Sequence, residues 1–362
     1  YQKALEIDFK NRYSLAKLLH TARKICYWDL KIQLDSHLLS YTNEIYTSET
    51  PFSFLSLEDA PEKQLLRSQH WSSVITKNIK TRDLSKRSND RIKLAYFSAD
   101  FHDFPGMHLM IGMLEKHDRS KFEIYAFSYG PNINDPMRNR IVNAVDHFID
   151  IKEMSTEAVV ELCDKEKIDI AIHRNGFTAN SRSSYFARRV APVQINYLGY
   201  PGSLGSTFID YIIADKTVIP ENQKSNYSEE ILYLPDCYQP NDNMRDVAIT
   251  KTTRNDFGLP EDSFVFCCFN NSYKISPEEF NIWMRVLLQV PNSVLWLYKS
   301  NVEMVRNLGK EAVKRGVNAD RLVFADRLPQ SEHLARHKHA DLFLDTFNYN
   351  AHTTASDALW TG

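Results

Sequence analysis

Three short stretches near the carboxyl end of the 362-residue chain gather side chains suited to holding an anion. His352-Thr353-Thr354 follows the apolar run Asp341-Leu-Phe-Leu-Asp345 and precedes Ala-Ser-Asp357-Ala-Leu-Trp, so the spacing predicts a buried strand, a polar turn and a helix just beginning. The first N–H groups of a helix lack intrahelical partners and carry the positive end of its dipole. Two hydroxyls and an imidazole beside them can hold a diphosphate without a glycine-rich loop. The alternative is that Thr353 or Thr354 only caps the helix. Phe269-Asn-Asn271-Ser-Tyr-Lys274 follows another apolar run and puts a lysine at a strand's carboxyl end, where it can add one positive charge; a solvated loop lysine is the alternative. Glu332-His333-Leu-Ala-Arg336-His337 sets His333, Arg336 and His337 within one helical turn. His333 and His337 have the i, i+4 spacing of a metal pair, but no third ligand or general-base glutamate follows at the needed spacing, and no metal is expected. An imidazole that stacks on a base, with Arg336 near ribose or phosphate, suits a nucleotide better.

Positioning such groups requires a sheet. From Arg91 onward apolar strand-length runs alternate with helical patterns: strands at 92–97, 122–127, 147–150, 168–172, 193–198, 209–213 and 231–234, with helices at 106–116 and 136–144 among them. After a Pro-, Asn- and Asp-rich stretch at 235–253 a second series begins, with strands at 264–269, 293–297, 322–324 and 341–344 and helices at 277–289, 302–314 and 331–338. The pattern predicts an α/β chain with two doubly wound, Rossmann-like parallel sheets, each offering its carboxyl strand ends to a ligand in the cleft between them. The second series reads as truncated, since only about 110 residues follow the boundary. Ahead of both lies a helical stretch, 1–80, whose opening Tyr-x-x-Ala-Leu-x-Ile-Asp is tetratricopeptide-like, with a third helix at 59–79 and a charged linker at 81–90. The expected domains are therefore 1–80, 91–250 and 251–362. Tyr1 falls inside a helical pattern, so both ends read as cut.

Composition narrows the function classes. With 43% hydrophobic and 12% aromatic residues the chain can build sizeable cores, and 44 basic against 46 acidic residues give no electrostatic reason to expect nucleic acid or an anionic membrane. The short runs Lys80-Thr-Arg82 and Lys86-Arg87 read as solvated linker. No stretch has the length of a membrane span and nothing reads as a signal peptide, so a cytoplasmic location is expected. Five scattered cysteines without a C-x-x-C spacing read as reduced and structural.

Phe269-Asn-Asn-Ser-Tyr-Lys, Leu328-Pro-x-x-Glu-His333-Leu-Ala-Arg336 and Ala340-Asp-Leu-Phe-Leu-Asp-Thr-x-x-Tyr-Asn-Ala-His352-Thr-Thr-Ala-Ser-Asp357 resemble the nucleotide-sugar half of the O-linked N-acetylglucosamine transferase family, especially its bacterial SPINDLY-like branch. Tyr96-Phe-Ser-Ala-Asp-Phe101, the run from Arg189 to Gly202 and Ile209-Asp-Tyr-Ile-Ile-Ala-Asp215 are similar to its other half. The resemblance covers 91–362 in order. It implies a two-domain GT-B glycosyltransferase, inverting and metal-independent, moving N-acetylglucosamine from UDP-GlcNAc to Ser/Thr hydroxyls of proteins. No cofactor is expected beyond that donor substrate, and the helical repeats would recruit the protein acceptor.

Carried onto this chain, Lys274 meets the diphosphate, Thr353 and Thr354 with their N–H groups bind its oxygens beside His352, and His333 with Arg336 holds uracil and ribose. Asp357 accepts ribose hydroxyls. Asn271, Leu328 and Gln330 complete the nucleotide side, and Leu198, Gly199 and Pro201 border the sugar. Three departures stand out. Phe104 replaces the histidine that the family places before its proline, and a phenyl ring cannot transfer a proton; His102 and His108 flank the gap. His173 stands where many bacterial relatives have an acid, and could restore a titratable group or only hydrogen-bond in a loop. Gln330 replaces a uracil-contacting lysine of animal members. Two further functions stay open: a UDP-sugar-binding scaffold impaired by Phe104, and a protein O-fucosyltransferase using GDP-fucose.

Overall fold

Residues 12–29, 50–85 and 87–362 are described by the structure, a computed structural model. The helical patterns read over 1–11 and 30–49, including the tetratricopeptide-like opening, lie outside the described residues. The described residues form two units, one made of 60–244 with 50–52, the other of 245–362 with 12–29 and 53–59. The 1–80 stretch is thus shared between them, and the main division falls at Met244/Arg245.

In chain order the helices are α1 (Arg12–Lys24), α2 (Pro61–Thr76), α3 (Pro105–Glu115), α4 (Pro136–Asn143), α5 (Thr156–Glu166), α6 (Ser183–Ala187), α7 (Pro277–Gln289), α8 (Val302–Lys314), α9 (Gln330–Arg336) and α10 (Thr353–Thr361). The strands are β1 (Ile92–Ser98), β2 (Phe122–Ser128), β3 (His147–Asp150), β4 (Ile170–His173), β5 (Val193–Asn196), β6 (Tyr211–Ala214), β7 (Glu230–Tyr233), β8 (Phe264–Cys268), β9 (Ser293–Tyr298), β10 (Leu322–Ala325) and β11 (Leu342–Phe343).

The N-terminal unit carries a parallel sheet of order β3-β2-β1-β4-β5-β6-β7. Its register runs from Ile92 opposite Phe122 on one side of β1 to Leu94 opposite Ile170 on the other. The order reverses between β1 and β4, the position where open α/β sheets gather ligand-binding loops. Leu94, Tyr96, Ile124 and Ala126 bury one face against Met107, Met110, Ile111 and Leu114 of α3. Helices start where the sequence supplies caps: Asp135 accepts from the Arg138 N–H at 2.7 Å, and Ser155 from Ala158 at 3.2 Å. The latter cap opens α5, which the sequence reading passed over, as it did α6. The charged linker is not loose. Arg82 and Arg87 both reach Asp164 on α5, at 2.5 and 2.9 Å, and Arg87 also donates to the Cys163 carbonyl. This corrects its reading as a solvated run, because guanidinium forks match a carboxylate and the open carbonyls of a helix end.

The C-terminal unit has the parallel sheet β10-β9-β8-β11, the first half of the same winding. Phe266, Cys268, Leu295 and Leu297 pack on α7 and α8 through Phe280, Trp283, Met304 and Leu308. The segment after α1 adds to this core: Cys26 and Trp28 are buried in it, with Trp28 edge-on to Phe280 at 5.2 Å. Its backbone is held as well, the Lys24 carbonyl accepting from Ser272 Oγ at 2.6 Å and Asn301 Nδ2 at 2.9 Å. The cysteines are free thiols. Four are buried, whereas Cys237 is exposed.

Candidate functional site

At the carboxyl ends of β8 and β11 the chain builds one polar network. Asn270, 1% exposed, follows β8 and is its hub. Its Nδ2 donates to Asp345 Oδ1 at 3.0 Å and to Thr346 Oγ1 at 2.9 Å, while its Oδ1 accepts from the Thr354 hydroxyl. Asp345 Oδ1 also accepts the N–H groups of Thr346 and Ala351, both at 2.7 Å, and Thr346 Oγ1 donates to the Tyr349 carbonyl at 2.7 Å. One carboxylate therefore folds 345–351 into a tight loop and delivers the chain to the start of α10.

His352 is the residue before α10 and no side chain caps that end. Thr353 and Thr354 occupy the first two helical positions instead, so neither is the cap. Thr354 is spent on Asn270, and Thr353 stands at the helix start with the unpaired N–H groups. Lys274 ends the short turn after β8. Its Nζ donates to the Asn350 carbonyl at 2.9 Å and lies 3.8 Å from the centre of the Tyr349 ring. Burial pulls the lysine down to about 8, partly offset by the Asp345 carboxylate. His352 is lowered to about 4, first by burial and then by the nearby Lys274 charge. A neutral imidazole, a lysine and a helix start thus share one corner, which favours negative charge.

The second group lies along α9. Arg336 is 2% exposed and turned inward: it sits 4.7 Å over the Phe269 ring, donates to the Asp326 carbonyl at 2.7 Å and contacts His333 Nδ1 at 2.6 Å. Burial lowers it to about 10, and it stays charged near neutrality. The guanidinium is packed on aromatic rings and holds His333, the residue expected with it on uracil and ribose. His333 must accept at Nδ1 and so carries its proton on Nε2, which lies 3.8 Å from Asp357 Oδ2. Burial, then the Arg336 charge, drive this histidine down to about 2. His337 donates from Nδ1 to the His333 carbonyl at 2.8 Å. Among the described residues no three His, Cys, Asp or Glu side chains are placed to hold a metal ion.

Asp357 is buried, and both its oxygens are engaged, Oδ1 by Arg245 at 2.6 Å and Oδ2 by Gln330 Nε2 at 3.4 Å. A ribose hydroxyl would share a carboxylate already held by a guanidinium. Leu328 is partly buried ahead of α9. Asn271 is exposed, and its side chain caps nothing; the structural role belongs to its neighbour Asn270.

In the N-terminal unit the loops after β1 and β4 meet at the switch point. Arg174 pairs with Asp100, which also accepts from Asn175 Nδ2 at 2.9 Å; Asn175 Oδ1 accepts from the Ala99 N–H at 2.9 Å and from Tyr129 at 3.0 Å. Arg174 is 3% exposed and lies 5.6 Å from the Phe104 ring. A Cβ built on Gly106 would fall 1.5 Å from its guanidinium, so a side chain there would displace that buried group. Phe104 precedes α3 and is 38% exposed. His108 is bound to Asp103 at 2.7 Å, and His102 meets the Phe104 ring edge-on at 5.8 Å.

His173 has no exposure. It stacks on Phe186 at 4.2 Å, accepts the Gly176 N–H at Nδ1 and shares a hydrogen with Ser183 Oγ at 2.9 Å. Burial lowers it to about 3. Of the two readings open for His173, a titratable catalytic group or a hydrogen bond in a loop, the packing fits the second: both ring nitrogens hold the loop, and desolvation keeps the imidazole neutral. Leu198, Gly199 and Pro201 lie after β5. Leu198 takes φ 73°, an uncommon conformation for a branched residue, and a Cβ on Gly199 would fall 2.0 Å from the Arg174 carbonyl.

Two all-parallel α/β sheets in succession, the second with cation, hydroxyls and helix start at its carboxyl edge, are the mark of the GT-B class. The family model of Glycosyl transferase family 41 matches residues 72–248 and 240–362, and the chain belongs to that family. It is 34% identical, over 95% of its length, to the probable UDP-N-acetylglucosamine–peptide N-acetylglucosaminyltransferase SEC of Arabidopsis thaliana, and covers 38% of that protein. It is 26% identical, over 77% of its length, to UDP-N-acetylglucosamine–peptide N-acetylglucosaminyltransferase of Caenorhabditis elegans, covering 34% of it. The chain thus spans little more than a third of these relatives. A solved O-GlcNAc transferase mutant from Thermobaculum terrenum has the same fold, with a TM-score of 0.85 at 22% identity over 99% of this chain and 69% of that one. Among the described residues no helix is long and apolar enough to cross a membrane.

Proposed function

We propose that this chain supplies the catalytic part of a protein O-GlcNAc transferase, an inverting enzyme that takes N-acetylglucosamine from UDP-GlcNAc to Ser/Thr hydroxyls without a metal. The observation that carries it is the corner formed by Lys274, Thr353 and the start of α10, fixed by Asn270 and Asp345. Displacement at the anomeric carbon needs the departing diphosphate neutralised as it leaves, and a fixed cation with unpaired helix N–H groups does this with little reorganisation. His333, held neutral first by burial and then by the Arg336 charge, carries its proton on Nε2 and is suited to a base edge or ribose oxygen. The family and the names of its relatives support the donor and the protein acceptor.

Phe104 favours a second reading, a UDP-sugar-binding scaffold without turnover. The proton of the acceptor hydroxyl would need a base other than residue 104, and His173 and His108 are both engaged. Incubating the chain with radiolabelled UDP-GlcNAc and a mixture of proteins separates the two. Label on protein Ser/Thr supports the transferase. UDP binding with no label transferred, restored by Phe104→His, supports the scaffold. Transfer from GDP-fucose in place of UDP-GlcNAc would overturn the donor.

A further inference from the structure

Tyr349 lies four residues before the start of α10, beside Lys274. Its ring covers the Lys274 ammonium at 3.8 Å while the next carbonyl, Asn350, accepts from the same Nζ at 2.9 Å. The ring is itself fixed from two sides. It lies 6.2 Å from Tyr273, tilted by 53°, and 5.6 Å from His352, edge-to-face at 78°. Its backbone is fixed too, by the Thr346 hydroxyl at 2.7 Å, which Asn270 holds in turn. An ammonium has three N–H donors. One goes to Asn350 and the ring face takes another, so the third is left for an incoming oxygen.

We propose that Tyr349 is the positioning residue of Lys274, its ring and the Asn350 carbonyl together aiming the remaining ammonium donor at the diphosphate. The proposal rests on the nucleotide-binding reading above. An aromatic face attracts a cation without competing for it as a carboxylate would. Lys274 is thereby kept from collapsing onto Asp345, whose oxygen Oδ1 is already filled by Asn270, Thr346 and Ala351. The groups that face the lysine are the Asp345 carboxylate, which favours its charge, the Cys268 thiol, kept protonated by burial, and His352, Tyr273 and Tyr349 around it. The wall is dry enough to lower its proton affinity, and removing the ring admits water.

Two measurements on the full chain test this, with Tyr349→Phe, Tyr349→Leu and Tyr349→Met. The first follows acylation of Lys274 by acetic anhydride against pH, read by peptide mass, with no nucleotide present. The wild type and Tyr349→Phe should titrate near pH 8, and the Leu and Met variants should titrate higher, toward an ordinary lysine. The second is calorimetry with UDP at pH 7: Phe should bind within about twofold of wild type, and Leu and Met about 2- to 30-fold more weakly. Leu or Met variants that match wild type in both measurements overturn the proposal, as does a Phe variant as damaged as Leu. A wild type that fails to bind UDP, while Lys274 labelling still shifts with Tyr349, overturns the nucleotide reading and leaves the positioning of Lys274 standing. Near-ultraviolet circular dichroism identifies a variant that has lost its fold; if Leu has, Met decides.

Discussion

Asn270→Ala removes the hub that joins β8, the 345–351 loop and α10. Two of its bonds are between neutral groups, to Thr346 Oγ1 and from the Thr354 hydroxyl, and each contributes about 1 kcal/mol net. The third donates to the Asp345 carboxylate and contributes about 1.5–3 kcal/mol. The simple sum overshoots, because the partners keep other bonds: Asp345 Oδ1 retains two backbone N–H donors and Thr346 still donates to Tyr349. Only Thr354 loses the one partner named for it. A loss of about 2–3 kcal/mol is therefore expected for the C-terminal unit. Guanidinium unfolding followed by tryptophan fluorescence reads that unit well, since Trp28, Trp283, Trp296 and Trp360 belong to it and only Trp71 to the other. The adjacent Asn271→Ala is the control. It is exposed and should change stability by less than about 0.5 kcal/mol. Asn270→Ala within that same margin, or the two variants alike, would refute the hub.

Other consequences follow from the same residues. Lys274, lowered to about 8, should bind UDP with an affinity that falls as pH rises past 8; Lys274→Met should lack this dependence, as calorimetry from pH 7 to 9.5 would read. Its effect on stability has the opposite sign: between about pH 8 and the ordinary lysine value the unfolded chain binds more protons, so its contribution rises with pH. The buried histidines behave alike on the acid side. His173, His333 and His352 are lowered to about 3, 2 and 4, so their stabilisation is full above about pH 6.5 and is lost as pH falls toward those values. Melting at pH 5.0 should precede melting at pH 7.5, and His173→Gln should flatten the difference. Arg174→Met leaves Asp100 buried without its cation and should cost about 3–5 kcal/mol by denaturant unfolding, with Asp100→Asn/Arg174→Met together costing less than the sum.

Much of the architecture was legible because apolar runs and their punctuation are local. Helices α7 and α8 match their expected spans residue for residue, each announced by its cap, Ser276 or Asn301. The missed helix α5 has a comparable cap in Ser155 but a weaker apolar stripe, and α6 is only five residues long. The site was harder. Residue types pointed to Lys274 and the His352-Thr-Thr turn, yet which of Asn270 and Asn271 faces inward depends on the last step of β8. Pattern alone also could not show that Arg336 turns toward Phe269, that Arg245 reaches across 112 positions to Asp357, or that His173 is sealed against Phe186. Each is a contact between segments distant in sequence. One local signal was available: Gly106 beside Phe104 leaves the space that Arg174 fills.

The corner of Lys274, Thr353 and the α10 start is proposed to receive a nucleoside diphosphate. Titration calorimetry of UDP into the wild-type chain and into Lys274→Met at pH 7 tests it most directly. Wild type should bind saturably at one site, and the substitution should weaken binding about 10- to 150-fold, as expected for loss of a charge-assisted contact of about 1.5–3 kcal/mol. Equal affinity of the two proteins, or no binding to either, would contradict it.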